Sequence, residues 1–338
     1  MLTKSVKINE AKKVEIVESE VIKTEATDQI VRVTRGGICG SDVHYYLEGG
    51  IGDFKLQHPM TLGHEVVGII PETEQPVAIN PSRPCNKCSD CLSGHSNQCK
   101  NMRFFGSAML NPHVDGGFSE FVAVSAQQIV PYDSSIDPQI MAFSEPLSVA
   151  IHAVNQAGSL VGKKVLVTGA GPIGALVIAV CKNVGAVEVV ASDIQESCRE
   201  SAEKMGATSV INPLDTNSKY IEDKGYFDVT FEASAAISAL HFAIDATKPE
   251  GTIVQVGMRP GMVDFPLTKF LVKEIKYVGS FRFTHEFYTA VKWLESGDIN
   301  PLPLLSHTFA FTQAEEALKM ASDKTQSIKV QLNFEVEK

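Results

Sequence analysis

The sequence predicts an α/β protein: a doubly wound parallel sheet of six strands in the middle of the chain, with strand-rich segments at both ends. Between Lys163 and Arg282, short apolar runs alternate with helical stretches, the pattern of repeated βαβ units. On either side, "QIVRVTR", "GGFSEFVAV" and "SIKVQLNFE" read as strands. A length of 338 residues suits two domains of ordinary size.

The middle elements follow in order. "VLVT" (165–168) is apolar and β-branched, the mark of a strand buried on both faces. Gly169, Gly171 and Gly174 then give G-x-G-x-x-G, with a helix beginning near Pro172 and Ile173. Gly169 makes the turn, Gly171 lets the backbone approach a pyrophosphate, and Gly174 allows close helix–strand packing. The helix N-terminus offers free N–H groups to the phosphates. The second strand, "VEVVASD", ends on Asp193, placed to accept hydrogen bonds from ribose hydroxyls. A 2′-phosphate sits badly against that carboxylate, so NAD is preferred, while Arg199 leaves room for NADP. "SVINP", "FDVTFEAS", "GTIVQVGM" and "IKYVGSFR" complete six strands of a Rossmann sheet, with helices over "ESCRESAEKMG", "AAISALHFAIDAT" and "TKFLVKE" between them. Near the C-terminus, "TQAEEALKMA" reads as a helix opened by a capping box from Thr312 to Glu315.

Charge and hydropathy narrow the function. The formal net charge is −10 and no Lys/Arg block stands out, which disfavours nucleic acid as a partner. The most apolar stretch, Gly174 to Ala191, is broken by Lys182, Asn183 and Glu188, so no membrane span is expected. The charged N-terminus is not a secretory signal, and a cytoplasmic location follows. In that reducing setting, clustered cysteines hold metal more often than they form disulfides.

Cys85, Cys88, Cys91 and Cys99 crowd into fifteen residues as C-x2-C-x2-C-x7-C. Short spacings in a loop of turn-forming residues let four thiolates close a tetrahedron around zinc. Two disulfides, free thiols or an iron–sulfur cluster are the other readings, and His95 is a competing ligand. A closed four-thiolate site has no vacancy for substrate and is structural. Earlier, Cys39, His64 and Glu65 offer a thiolate, an imidazole and a carboxylate, a set that leaves one position open on a catalytic zinc. By themselves these residues equally fit a buried thiol and a surface histidine. Gly36, Gly37, Gly40 and Gly63 flank them and permit close backbone approach.

Taken together, "GHEVVG" (63–68), the four-cysteine loop and "GAGPIG" (169–174) resemble the zinc-containing medium-chain dehydrogenase/reductase family over nearly the whole chain. "SEPLSVAIHA" (144–153) resembles its sorbitol and polyol dehydrogenase branch, with Glu145 where other members carry a cysteine zinc ligand. Longer runs such as "RGGICGSDVHYYLEG", "NQCKNMRFFGSAM" and "GSFRFTHEF" resemble sugar-acid dehydrogenases within that branch. The resemblance implies a discontinuous GroES-like β-barrel catalytic domain, residues 1–147 and 284–338, with a Rossmann domain, 148–283, inserted between them. It implies one catalytic and one structural zinc per chain, Glu145 reaching the catalytic metal directly or through water, and Val256 and Arg282 beside the cofactor.

The activity so implied is reversible hydride transfer from the C5 hydroxyl of a sugar acid to NAD(P), with zinc as Lewis acid. Ser41 would pass the proton through the nicotinamide ribose and His44 would deliver it to solvent, although a turn hydroxyl and a surface histidine fit the residues alone. The substrate carboxylate calls for an arginine fork, with Arg103 and Arg282 the candidates and Tyr45 a hydroxyl partner. A neutral polyol dehydrogenase and a non-catalytic zinc- and NAD-binding relative are the rival readings. The resemblance also implies a homodimer or homotetramer.

Overall fold

In the middle of the chain, six strands form a parallel sheet in the spatial order Ser209–Ile211, Glu188–Ser192, Lys164–Thr168, Phe227–Glu232, Thr247–Gln255, Lys276–Gly279. In sequence terms that is 3-2-1-4-5-6, the doubly wound order with its reversal beside the first strand. The first strand is the central one, and Val165, Leu166 and Val167 are fully buried, as its unbroken apolar run requires. The helix Pro172–Asn183 follows it directly, and Glu196–Lys204, Ile237–Ala246 and Leu267–Val272 supply later crossovers. These strands and helices coincide with those expected from the apolar periodicity.

This computed structural model describes residues 1–215 and 218–335. The chain divides into two units, Met1–Glu145 with Phe287–Gly297 and Leu305–Lys338, and Pro146–Glu286 with Asp298–Leu304. The segment expected to run from 284 to 338 is therefore shared: Thr284–Glu286 and Asp298–Leu304 go with the dinucleotide unit. Residues 336–338 lie outside the described residues.

The N-terminal unit is built on a seven-stranded sheet. Its main path runs Ile129–Pro131, Gln75–Ile79, Glu65–Ile70, Gln29–Gly37, Lys329–Asn333, Leu305–Ala310, and Phe121–Val124 also pairs with Gln29–Gly37. A smaller sheet orders Lys13–Glu20, Leu2–Glu10 and Met60–Thr61. Val6, Ile8, Val31, Met60, Ile79 and Phe118 belong to the shared apolar core.

One local expectation fails. The helix Ala314–Ser322 exists, but a 3-10 turn at Phe311–Gln313 leads into it and Gln313 is its N-cap, without a side-chain bond. Thr312 sits inside that turn rather than at the helix boundary, so the capping box does not form.

Candidate metal and dinucleotide sites

Strand pairing assembles the first site. Gln29–Gly37 runs antiparallel to Glu65–Ile70, with Gly37 directly opposite Glu65. A Cβ on Gly37 would come within 2.0 Å of Glu65 Oε2, so glycine there makes room for the carboxylate. Two residues on, Cys39 is the N-cap of the helix Gly40–Glu48. Asp42 lies in that helix's first turn and is fully buried. Its Oδ2 accepts from Cys39 N at 2.9 Å, and its Oδ1 accepts from Gly63 N at 3.1 Å. The same Oδ1 stands 4.0 Å from His64 Nδ1. Asp42 thus ties the cysteine turn to the histidine turn, as carboxylates behind metal-bound histidines do.

As a result, one ligand atom each from Cys39, His64 and Glu65 lies within 4.8 Å of the others. Glu145 is not in that compact set, although it is buried near enough to feel the charges of His64, Glu65 and Cys39. Lys329 completes the surroundings. Its Nζ donates to Glu65 Oε1 at 2.6 Å and to Ile38 O at 3.0 Å. The ammonium also approaches Oε2, but without hydrogen-bond geometry, so Glu65 Oε2 and His64 Nδ1 are buried with no hydrogen-bond partner.

The electrostatics fit a cation. Burial, then Glu65, pushes the Cys39 thiol up to about 11. Burial, with Glu65 and Cys39 adding to it, holds the Glu145 carboxyl at about 8. Burial works against the Lys329 charge, yet Glu65 and Cys39 raise its pKa. Acidic donors forced together away from water repel one another. A divalent ion reverses that penalty and takes up the thiolate. Sulfur, nitrogen and oxygen donors in one buried cluster are a zinc set.

The four cysteines of the loop also converge: Cys85, Cys88, Cys91 and Cys99 sulfurs lie within 4.8 Å of one another. Zinc–sulfur bonds of about 2.3 Å give tetrahedron edges of roughly 3.8 Å. Cys88 and Cys91 sulfurs are 3.5 Å apart. Backbone N–H of Lys87 lowers the Cys85 thiol to about 6, and that of Cys91 lowers Cys88. All seven cysteines are free thiols.

In the second unit, the glycine turn is arranged for a phosphate. Gly171 is the N-cap of the helix Pro172–Asn183, and a Cβ there would meet nothing within 4 Å, so the approach to the helix N-terminus is open. A Cβ on Gly174 would strike Gly169 O at 1.8 Å, which explains the third glycine. Asp193 follows the second strand. Its Oδ2 accepts from Ala170 N and its Oδ1 from Gln195 N, both at 2.8 Å, so this carboxylate also pins the glycine turn. Arg199 Nη1 donates to the carbonyls of Asp193 and Ile194. Val256 N donates to Glu232 O where the sheet ends. Arg282 has left-handed backbone, φ 53°, and its guanidinium stacks over Phe281.

The remaining candidates are placed as follows. Ser41 stands in the first turn of the helix Gly40–Glu48, two residues after Cys39, and is half-buried. His44 is exposed and pairs with Glu48 at 3.1 Å. Tyr45 is buried, its hydroxyl accepting from Ala108 N at 2.9 Å. Arg103 is parted from the metal cluster. In the strand Arg103–Phe104, the Phe104 ring lies 5.5 Å from the His64 ring. Alternation turns Arg103 to the other face, where it lines a separate cavity. Sequence reading missed Asp42 and Lys329. The D of "CGSD" offered a weak capping signal for the first, and nothing local marked the second.

Strand order, glycine turn and the sulfur–nitrogen–oxygen cluster define a zinc-binding dehydrogenase. Family models agree: residues 25–134 match the alcohol dehydrogenase GroES-like domain and residues 172–296 the zinc-binding dehydrogenase domain. The chain belongs to the zinc-containing medium-chain dehydrogenase/reductase family, and is an NAD(P)-linked oxidoreductase acting on CH–OH groups. L-idonate 5-dehydrogenase (NAD(P)(+)) of Escherichia coli K12 is 49% identical over 331 residues, 96% of each chain. The crystal structure of L-idonate 5-dehydrogenase from Escherichia coli K-12 superposes with a TM-score of 0.97 over 99% of each chain, at 48% identity. D-xylulose reductase A of Aspergillus oryzae is 34% identical over 87% of this chain and 86% of its own.

Proposed function

We propose that this enzyme oxidises the C5 hydroxyl of L-idonate to 5-keto-D-gluconate, reversibly, by hydride transfer to a nicotinamide dinucleotide. The observation that carries the reading is the 49% identity to an L-idonate 5-dehydrogenase across 96% of both chains. The Cys39, His64 and Glu65 cluster supports it chemically.

Cys39, His64 and Glu65 would hold the catalytic zinc, with Glu145 close by, and the four-cysteine loop a structural one. The zinc supplies Lewis acidity, which can lower the pKa of a coordinated water from 15.7 to about 7 and acts on an alcohol in the same sense. Lys329 Nζ bonds Glu65 Oε1 and lies against Oε2, so it neutralises the carboxylate, while Oε2 keeps its lone pairs free of any hydrogen bond. Asp42 holds the turn that carries His64 through Gly63 N, with its Oδ1 4.0 Å from His64 Nδ1. Ser41 Oγ would relay the hydroxyl proton, passing its own on through the nicotinamide ribose, and His44, exposed on the same helix, would release it to solvent. Gly169, Gly171 and Gly174, with Pro172 and Ile173 at the helix start, hold the pyrophosphate, and Asp193 binds the ribose. That carboxylate favours NAD, while the nearby Arg199 fits use of NADP.

A neutral polyol dehydrogenase is the second reading, favoured by one observation: Arg103 turns away from His64, which leaves Arg282 as the sequence-derived carboxylate anchor. Metal-replete enzyme assayed with L-idonate, D-gluconate and D-sorbitol, each with NAD and NADP, separates the two. L-idonate should give the highest kcat/KM; a preference for sorbitol would overturn the first reading. Free thiols fit a cytoplasmic setting. The edge strand Lys276–Gly279, with exposed Met258, Met262, Leu271 and Tyr277, fits assembly into a homodimer or homotetramer.

A further inference from the structure

A cavity of about 400 Å³ opens in the N-terminal unit, and none of Cys39, His64 or Glu65 lines it. Its walls are mixed, and the strand pattern supplies much of their polar part. Along Leu2–Glu10, Thr3, Ser5 and Lys7 face the cavity, while Val6 and Ile8 on the other face are fully buried in the core. Thr3 and Ser5 each hydrogen-bond the Ser119 hydroxyl at 2.7 Å, a buried row of hydroxyls beside the open space.

Two arginines join them. Arg83 and Arg103 are directly opposed in the antiparallel pair Ser82–Arg83 and Arg103–Phe104. Like charges in that position repel. Arg83 is balanced by Glu25 at 2.8 Å and Asp28 at 3.4 Å. Arg103 and Lys7 have no ion pair or side-chain hydrogen bond among the described residues. The lining carboxylates are Glu20 and Asp115, and Asp115 Oδ1 already accepts from Thr61 N at 2.7 Å. His113 is engaged at both nitrogens, by Gln57 N and Leu110 O. Two cations without partners, beside buried hydroxyls in a cavity of small-molecule size, make a receptor for an oxyanion.

We propose that this cavity binds a small hydroxylated anion, a sugar carboxylate or a sugar phosphate, at a site separate from the catalytic centre. Arg103 offers a planar fork to the oxyanion and Lys7 a point charge, and Ser5 Oγ, bonded to the Ser119 hydroxyl, keeps capacity for a hydroxyl of the ligand. The position gives binding a consequence. Arg83 precedes Cys85 and Arg103 follows Cys99, and the two are strand partners, so a ligand held on Arg103 steadies that strand pair and with it both ends of the four-cysteine loop. Occupancy should slow loss of the structural zinc.

The test is calorimetric titration of inorganic phosphate, and separately of D-gluconate, into metal-replete enzyme saturated with NAD, so that the glycine turn is occupied. At least one probe should bind wild-type enzyme. Its Kd should rise about tenfold or more in Arg103→Ala and several-fold in Lys7→Ala, with Arg103→Lys between. The binding probe should also slow zinc release to a chelator in wild type but not in Lys7→Ala. Phosphate binding alone identifies a phosphorylated ligand, and gluconate binding alone a carboxylate. Should Arg103→Ala not fold, Lys7→Ala and Arg103→Lys still report. No binding of either probe, equal Kd in wild type and variants, or competition between the bound probe and the alcohol substrate would overturn the proposal.

Discussion

Lys329 and Glu65 form a buried ion pair, 3% and 1% exposed, closed by a 2.6 Å hydrogen bond from Nζ to Oε1. Lys329 is also the cation that faces Cys39 and Glu145. Lys329→Met should therefore be far more harmful without metal than with it. Chelator-treated Lys329→Met should lose about 3–5 kcal/mol relative to chelator-treated wild type, the cost of a stranded buried carboxylate. Zinc-loaded Lys329→Met should lose less, because the ion takes over the neutralising role. Denaturant titration of both forms checks this. Equal losses would mean that Glu65 does not face a metal.

Gly37 gives a test confined to one site. A Cβ there would meet Glu65 Oε2 at 2.0 Å, so Gly37→Ala must push the carboxylate aside. Metal analysis should find about one zinc fewer per chain, because the four-cysteine loop keeps its own ion. Full zinc content in a folded Gly37→Ala protein would remove Glu65 from the ligand set.

Asp193 should govern cofactor choice. Asp193→Asn keeps the size of the side chain, removes its charge and leaves one of the two backbone N–H groups it accepts from without its acceptor, while Arg199 remains anchored to the backbone at positions 193 and 194. The ratio of kcat/KM for NAD over NADP should fall about tenfold, or about 1.4 kcal/mol. Steady-state kinetics with each cofactor decides it, and an unchanged ratio would place the ribose elsewhere.

Glu286 predicts an acid limb. Burial pushes its carboxyl up, but the His152 side chain and the Thr284 N–H outweigh burial and hold it below the ordinary 4.5. A depressed carboxylate contributes stability that is full above its unfolded value and is lost as pH falls towards its folded value. Glu286→Gln should therefore be less stable than wild type near neutrality, by about 1–3 kcal/mol. The gap should close as pH drops below about 4.5. Melting curves across that range would count against the pairing if the gap stayed constant.

The parts legible in sequence were those written locally. Six strands and the glycine turn came from apolar runs and short-range spacing, and the four-cysteine loop from residues close in the chain. Lys329 was invisible because it stands 264 residues from Glu65, and only the pairing of Lys329–Asn333 with Gln29–Gly37 brings it alongside. Arg103 was attractive as a substrate anchor until a two-residue strand fixed its face, a register no periodicity argument reaches over so short a run. Thr312 shows the same limit at a helix end, where the incoming 3-10 turn moved the boundary past the capping residue.

The central claim is that Cys39, His64 and Glu65 hold a catalytic zinc apart from the one held by the four cysteines. Diffraction from crystals of the metal-replete enzyme, recorded on both sides of the zinc absorption edge, tests it most directly. The account predicts an anomalous peak among Cys85, Cys88, Cys91 and Cys99 and another bounded by Cys39, His64 and Glu65. A peak in the cysteine loop alone, from enzyme that still oxidises its substrate, would contradict it.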